Sequence, residues 1–197
     1  MKRFLFYDTE TTGVPMDYKA PSSDLKNWNC RLVQLSWLLM DERQVLLSQG
    51  DLIIRPEGFT IPETASAIHG ISTERALKEG VGCKEAVYYF LGAARMADYL
   101  VGHNESYDHH VVGAEMIRAF GKDYIEHLPS IDTMASAIDL CKLPGRYGNY
   151  KFPKLMELHE KLFGCKFEDA HNSFADITAT TKCFWEMVKI GCIKLDL

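Results

Sequence analysis

Phe4-Leu5-Phe6-Tyr7-Asp8-Thr9-Glu10-Thr11-Thr12-Gly13 is an apolar, aromatic run that gives way to polar residues and a glycine, the pattern of a β-strand entering a turn. Asp8 and Glu10 stand near its end. Side chains two apart on a strand share a face, with Cα atoms about 6.5–7 Å apart, so the two carboxylates converge. Beside a hydrophobic run such a pair repels and loses hydration unless a cation neutralises it. Magnesium and manganese, hard cations that take oxygen ligands, are the natural candidates. An isolated Asp-x-Glu is more often a polar strand end, so the reading depends on what else the chain carries.

A second motif follows the short apolar stretch Tyr99-Leu100-Val101-Gly102 and reads His103-Asn104-Glu105-Ser106-Tyr107-Asp108. Tyr107, Val111, Ala114 and Ile117 keep helical spacing, Asn104 is a candidate N-cap, and Asp108 falls in the first turn. Alone, that acid would do no more than complement the helix dipole. The third motif, Ala170-His171-Asn172-Ser173-Phe174-Ala175-Asp176, opens a helix with a buried stripe through Phe174, Ile177, Thr181, Phe184, Trp185 and Val188. Five residues of ideal helix turn about 500°, which would leave His171 and Asp176 roughly 140° apart. If Asn172 or Ser173 caps the helix, His171 belongs to the preceding loop and can reach a metal held by Asp176.

Together these residues resemble the DEDDh family of 3′-to-5′ exonucleases, of which the proofreading epsilon subunit of bacterial DNA polymerase III is a type. The resemblance extends to Ile68-His69-Gly70-Ile71, to Asp132-Thr133-Met134-Ala135 and to Leu155-Met156-Glu157-Leu158, and so covers nearly the whole chain. A histidine five residues before the last aspartate selects the h branch. The resemblance implies a ribonuclease H-like fold and two-metal hydrolysis of single-stranded DNA from its 3′ end, releasing nucleoside 5′-monophosphates, with two Mg2+ or Mn2+ ions. It implies that Asp8 bridges both ions, that Glu10 and Asp176 complete the site of the nucleophilic water, that Asp108 supports the second ion and that His171 is the general base. Thr9, Thr11, Thr12, His69, Asn104 and Tyr107 are the implied contacts to the terminal nucleotide. RNA trimming of the oligoribonuclease or ribonuclease T type uses the same catalytic set, and a polymerase acting in trans is an implied partner. A catalytically dead binding module on this fold would be expected to have lost a ligand. One departure from the family pattern is the stretch Val14 to Asn29, which reads as an insertion beside the active-site strand and leaves open how substrate enters.

Composition narrows the reading. With 197 residues, 47% of them hydrophobic, the chain is expected to form a single exonuclease domain over 1–197. No apolar run approaches the roughly 18 residues of a membrane span and no signal peptide is expected, which suits a cytoplasmic protein. Cys30, Cys83, Cys141, Cys165, Cys183 and Cys192 form no C-x-x-C pair, as free thiols in a reducing compartment would. His103, His109 and His110, or His159 with Cys165, lack the paired spacing of structural zinc. A net charge of −5 argues against a long duplex footprint, yet an enzyme holding a few terminal nucleotides does not need one. The local exception is Lys142, Arg146, Lys151 and Lys154, interleaved with Tyr147, Tyr150 and Phe152. They suit a grip on single-stranded backbone and bases; the plainer reading is a solvated connection between helices.

Periodicity and turn signals predict strands near 3–9, 32–40, 45–55, 98–102 and 128–132, and helices near 84–97, 106–120, 133–141, 153–163 and 173–190. A short link at Asp41-Glu42-Arg43 favours antiparallel pairing of the second and third strands, and helical crossovers favour parallel pairing of the rest. The expectation is an α/β fold with a mixed five-stranded sheet flanked by helices on both faces.

Overall fold

The opening apolar run forms β1 (Arg3–Thr11), and its neighbours make it the central strand. It pairs antiparallel with β2 (Leu32–Asp41) on one side and parallel with β4 (Tyr99–Gly102) on the other. β3 (Leu46–Ile53) runs antiparallel to β2, and β5 (Ser130–Asp132) parallel to β4, giving the order β3-β2-β1-β4-β5. The structure, a computed structural model, describes residues 1–168 and 171–195. The β2–β3 hairpin is closed by Asp41, whose Oδ1 accepts from the N–H groups of Arg43 and Val45, both at 2.9 Å.

A strand covered on both faces must be apolar on both, and Phe4, Leu5, Phe6 and Tyr7 are all buried. Phe4 and Phe6, with Leu38 and Val101, pack against Phe184 and Met187 of α8 (Ser173–Lys189) and Leu158 of α7 (Leu155–Phe163). Leu5 and Tyr7, with Leu35 and Leu39, meet Val87 and Phe90 of α3 (Cys83–Ala94) and Val111 and Val112 of α4 (Glu105–Phe120). Each such buried side chain stabilises the fold by about 1.5–3 kcal/mol, so the helices bearing Asp108 and Asp176 are clamped to opposite faces of the strand bearing Asp8. Among the described residues no helix is long and apolar enough to cross a membrane.

Two departures from the expected elements bear on the site. Between β3 and α3, where no helix was expected, lie α1 (Glu63–His69) and α2 (Thr73–Glu79). Each has seven residues and buries one or two side chains, too few to show a period; they hold a small core of Val33, Ile61, Ala65, Ile71 and Ala76. The helix expected over 133–141 is two short ones, α5 (Thr133–Ser136) and α6 (Ile138–Cys141), broken at Ala137. The Asp132 side chain caps α5, accepting from Met134 N–H at 2.8 Å.

The Val14–Asn29 insertion packs against α4. Trp28 is fully buried, its Nε1–H donates to the Ala20 carbonyl at 2.8 Å, and its own carbonyl accepts from Arg118 of α4. Asn27 holds Asp17 through two hydrogen bonds, and just beyond the insertion Arg31 pairs with buried Glu115 at 2.7 Å.

Candidate active site

The register of β1 against β2 is regular through Asp8↔Ser36 and Glu10↔Gln34, then breaks between Glu10 and Thr11. Such an irregularity re-aims side chains at a strand end. Asp8 and Glu10 share a face of β1, as expected, and the first turn of α8 brings Asp176 to them. One carboxylate oxygen from each of the three lies within 4.8 Å of the others. Burial, then the charges of Asp108, Asp176 and Glu10, hold the Asp8 carboxyl well above the usual carboxylate range. Burial and the charges of Asp176 and Asp108 push Glu10 up to about 8. Asp176 is raised by burial to about 6, partly offset by the His171 N–H. Three acids that resist ionising together, grouped at ligand distance, fit a divalent cation, which would neutralise all of them at once.

The start of α8 is fixed by its own polar residues. Asn172 is the N-cap: its Oδ1 accepts from the N–H groups of Phe174 and Ala175, both at 3.2 Å. Ser173, fully buried, meets Ser36 of β2 with 2.5 Å between hydroxyl oxygens. Because Ser36 stands opposite Asp8 in the β1–β2 register, this contact ties the start of α8 to the strand position beside the acid. His171, ahead of the cap, has the left-handed φ of 70° and is exposed. Its backbone N–H donates to Asp176 Oδ2 at 3.1 Å. His171 lines a cavity of about 650 Å3 that also presents Asp8, Asp176, His103, Lys154 and Phe167.

Asp108 arrives from the opposite face and lies outside the three-carboxylate group. Its Oδ1 accepts both the N–H of Thr9, at 2.9 Å, and the Thr9 hydroxyl, at 2.6 Å. Burial pushes its pKa up to about 8 against those two hydrogen bonds, and the Glu105 charge adds to the rise. Thr9, an implied nucleotide contact, is thus buried with both polar groups engaged by Asp108. Beneath them, buried Glu105 accepts from Tyr7 Oη at 2.7 Å and from His109 Nδ1 at 3.1 Å.

Thr11 and Thr12 line a smaller cavity with Glu10, Val14, Ile68 and His69. The Thr11 hydroxyl donates to the Gly13 carbonyl at 2.6 Å and lies 2.6 Å from the Tyr107 hydroxyl, which itself donates to Gly13 at 2.9 Å; Thr12 Oγ1 accepts from Arg31 N–H at 2.8 Å. Tyr107 therefore braces the turn after β1. His69 ends α1 and is buried; its Nδ1 accepts from Ile71 N–H at 3.1 Å, which places the proton of the neutral ring on Nε2. That Nε2–H faces the Thr11 backbone, and the ring borders both the Thr11–Thr12 cavity and the one shared with His171. Asn104 occupies the N-cap position of α4 but makes no side-chain cap; it is left-handed, and its N–H donates to Asp132 at 3.0 Å.

In the sequence His103 stands out only as a candidate zinc ligand. In the structure it lines the main cavity and bridges two elements, with Nδ1 3.0 Å from Thr133 Oγ1 and Nε2 2.9 Å from the Pro153 carbonyl. A carbonyl only accepts, so Nε2 carries a proton. No spacing marks such a residue, because both partners are distant in sequence. The contact of Ser36 with Ser173, a candidate cap in the sequence, is hidden for the same reason.

Residues 5–184 match the model of the exonuclease family (RNase_T), a span that runs from β1 to the buried Phe184 of α8. The chain belongs to this exonuclease family. Its α/β fold is the ribonuclease H-like exonuclease fold, and E. coli exonuclease I shares it. The structure of that enzyme with a dT13 oligonucleotide superposes with a TM-score of 0.74 at 20% identity. Its complex with dA16, and a zinc-bound form of its complex with single-stranded DNA, each give 0.75 at 20% identity. All three comparisons cover 96% of this chain and 41% of exonuclease I, so the chain spans less than half of that protein. No curated protein matches the chain by sequence. Within the matched span lie Asp8, Glu10, Asp108, His171 and Asp176.

Proposed function

We propose that the chain is a metal-dependent 3′-to-5′ exonuclease of the DEDDh type that removes nucleoside 5′-monophosphates from single-stranded DNA. The observation that carries this reading is the grouping of Asp8, Glu10 and Asp176 within 4.8 Å, with His171 lining the cavity that presents Asp8 and Asp176. Three convergent acids would repel a phosphodiester unless cations intervened, so a nuclease built on them requires metal. Asp8, Glu10 and Asp176 would hold the ions, and Asp108, kept in place by Thr9, offers its Oδ2 as a further ligand. When bound, divalent ions such as Mg2+ or Mn2+ supply charge stabilisation at the attacking and leaving oxygens and lower the pKa of a water.

The rest falls to the chain's own groups. His171 takes the proton of the attacking water as general base. As oxygen bonds to phosphorus, the bond to the 3′ oxygen of the preceding nucleotide breaks, leaving a 3′ hydroxyl on the shortened strand. His69, whose ring borders the two small cavities beside Thr11 and His171, is placed to meet the terminal nucleotide. The oligonucleotides in the exonuclease I complexes are deoxy, which supports DNA over RNA as substrate. A polymerase partner in trans draws no support from these exonuclease I structures.

Matched single-stranded DNA and RNA oligonucleotides, labelled at the 3′ or the 5′ end and incubated with magnesium, test the proposal. Immediate loss of a 3′ label, with a ladder from the 5′-labelled DNA, is expected. Prompt release of the 5′-terminal nucleotide would reverse the polarity, and faster trimming of RNA would move the substrate to the oligoribonuclease class.

A further inference from the structure

Residues 143–151 fold back on themselves into a small arm. Pro144 and Tyr150 form an antiparallel bridge, Gly145 N–H donates to the Asn149 carbonyl at 2.7 Å, and Lys151 N–H to the Leu143 carbonyl at 3.0 Å. At the tip Tyr147 is 98% exposed in a left-handed conformation, φ 58° and ψ 30°. A non-glycine residue in that region costs about 1–2 kcal/mol. Burial returns nothing at such exposure. Tyr150 and Phe152, at 47% and 56% exposed, place two more aromatic rings in solvent within five residues. Folding does not account for three aromatic faces presented together.

The arm is rooted at the rim of the catalytic cavity. The carbonyl of Pro153, just beyond it, accepts from His103 Nε2, and His103, Lys154 and Glu157 line the cavity that holds Asp8, His171 and Asp176. Lys151 Nζ lies 2.6 Å from Glu157 Oε1, and Glu157 Oε2 accepts from Lys154 N–H at 2.8 Å, fixing the arm's base to α7. Lys151 is therefore neutralised locally, and the cationic character of the segment rests on Lys142, Arg146 and Lys154. In a chain of net charge −5, cations alternating with aromatic rings at the mouth of an acidic cavity complement one kind of ligand: an anionic polymer with stacking faces.

We propose that this arm guides the single-stranded substrate, binding the nucleotides upstream of the one being cleaved. Bases stack on Tyr147 and its aromatic neighbours while phosphates meet Arg146 and Lys154. The inference rests on the cavity being the site of the 3′ end, and its test separates the two.

Binding of labelled dT3 and dT12 is measured by anisotropy with Ca2+ in place of Mg2+, for wild type, Tyr147→Phe and the double variant Arg146→Glu/Tyr147→Asn. Asparagine tolerates the left-handed backbone, so the exposed tip keeps its shape. The double variant is expected to bind dT12 about tenfold more weakly, which narrows the advantage of dT12 over dT3. Its salt slope on dT12 should fall by roughly 0.7 for a lost phosphate contact, while Tyr147→Phe keeps the affinity. Unaltered dT12 binding by the double variant overturns the proposal and returns the arm to a solvated connection or a protein contact. An equal loss on dT3 and dT12 also overturns it, because the effect would then lie in the cavity. Should wild type bind dT12 through the arm yet never shorten it with magnesium, the catalytic reading fails and the arm stands.

Discussion

The main-chain N–H of His171 donates to Asp176 Oδ2 at 3.1 Å, so the two residues of the last motif are joined through backbone and not through the imidazole. Removing the imidazole leaves that bond in place. His171→Ala should therefore keep its metal affinity while cleavage falls about 10²- to 10⁴-fold, the loss ordinary for a general base. Because φ is 70° here, a strain the wild-type histidine already bears, His171→Asn is the control that tolerates the conformation best. Both variants should slow the single-turnover step alike at saturating metal. Asp176→Asn should weaken metal binding and cleavage together. Calorimetric metal titration beside single-turnover kinetics separates the two patterns; near wild-type cleavage by His171→Asn would reduce His171 to a loop residue.

Metal-free stability should depend on pH with a definite sign. Glu10 is raised from 4.5 to about 8, and Asp8 also lies well above its ordinary range. The folded state therefore binds more protons than the unfolded chain between about pH 4.5 and 8, and stability is lost as pH rises through that window. Asp8→Asn removes one of the crowded charges, so in chelator at pH 8 it should melt above wild type, by about 2–4 °C for each ~1 kcal/mol relieved. Magnesium should raise the melting temperature of wild type more than that of Asp8→Asn. A metal-free melting temperature indifferent to pH from 5 to 8 would mean that the three acids are not mutually strained.

Ser36 donates to Asp51 Oδ1 at 2.8 Å, which uses its only proton, so the buried Ser173 must be the donor in the contact between the two serines. Ser173→Ala loses that bond, at a cost of about 1 kcal/mol, and unmoors the start of α8 from β2. The metal-activation curve should shift to higher concentration, because Asp176 is then held less firmly beside Asp8. A variant that loses stability with an unshifted curve would confine the pair to folding.

How much of this was legible in the chain depends on the range of the interaction. The strands and most helices announce themselves through local period and turn signals, β1 as an apolar run ending in polar residues and a glycine; its central place in the sheet comes from its pairing. Asp8 and Glu10 share a face because strand geometry requires it, and Asn172 caps α8 as its position suggests. Helices α1 and α2 did not show, since seven residues with one or two buried positions carry no readable period. The Thr9–Asp108, Ser36–Ser173 and His103–Pro153 contacts span 99, 137 and 50 residues, and no local pattern encodes them. Asp108 shows the difference most clearly. Its helix position could be read, but that its Oδ1 turns to Thr9 could not.

The most direct test strips the protein with chelator and follows a 5′-labelled single-stranded DNA as magnesium is added back, for wild type and Asp8→Asn side by side. The carboxylate site of Asp8, Glu10 and Asp176 requires that wild type release no product before metal is added and then shorten the strand from its 3′ end, while Asp8→Asn stays silent at every concentration. Full cleavage by stripped wild type, or by Asp8→Asn in magnesium, would contradict it.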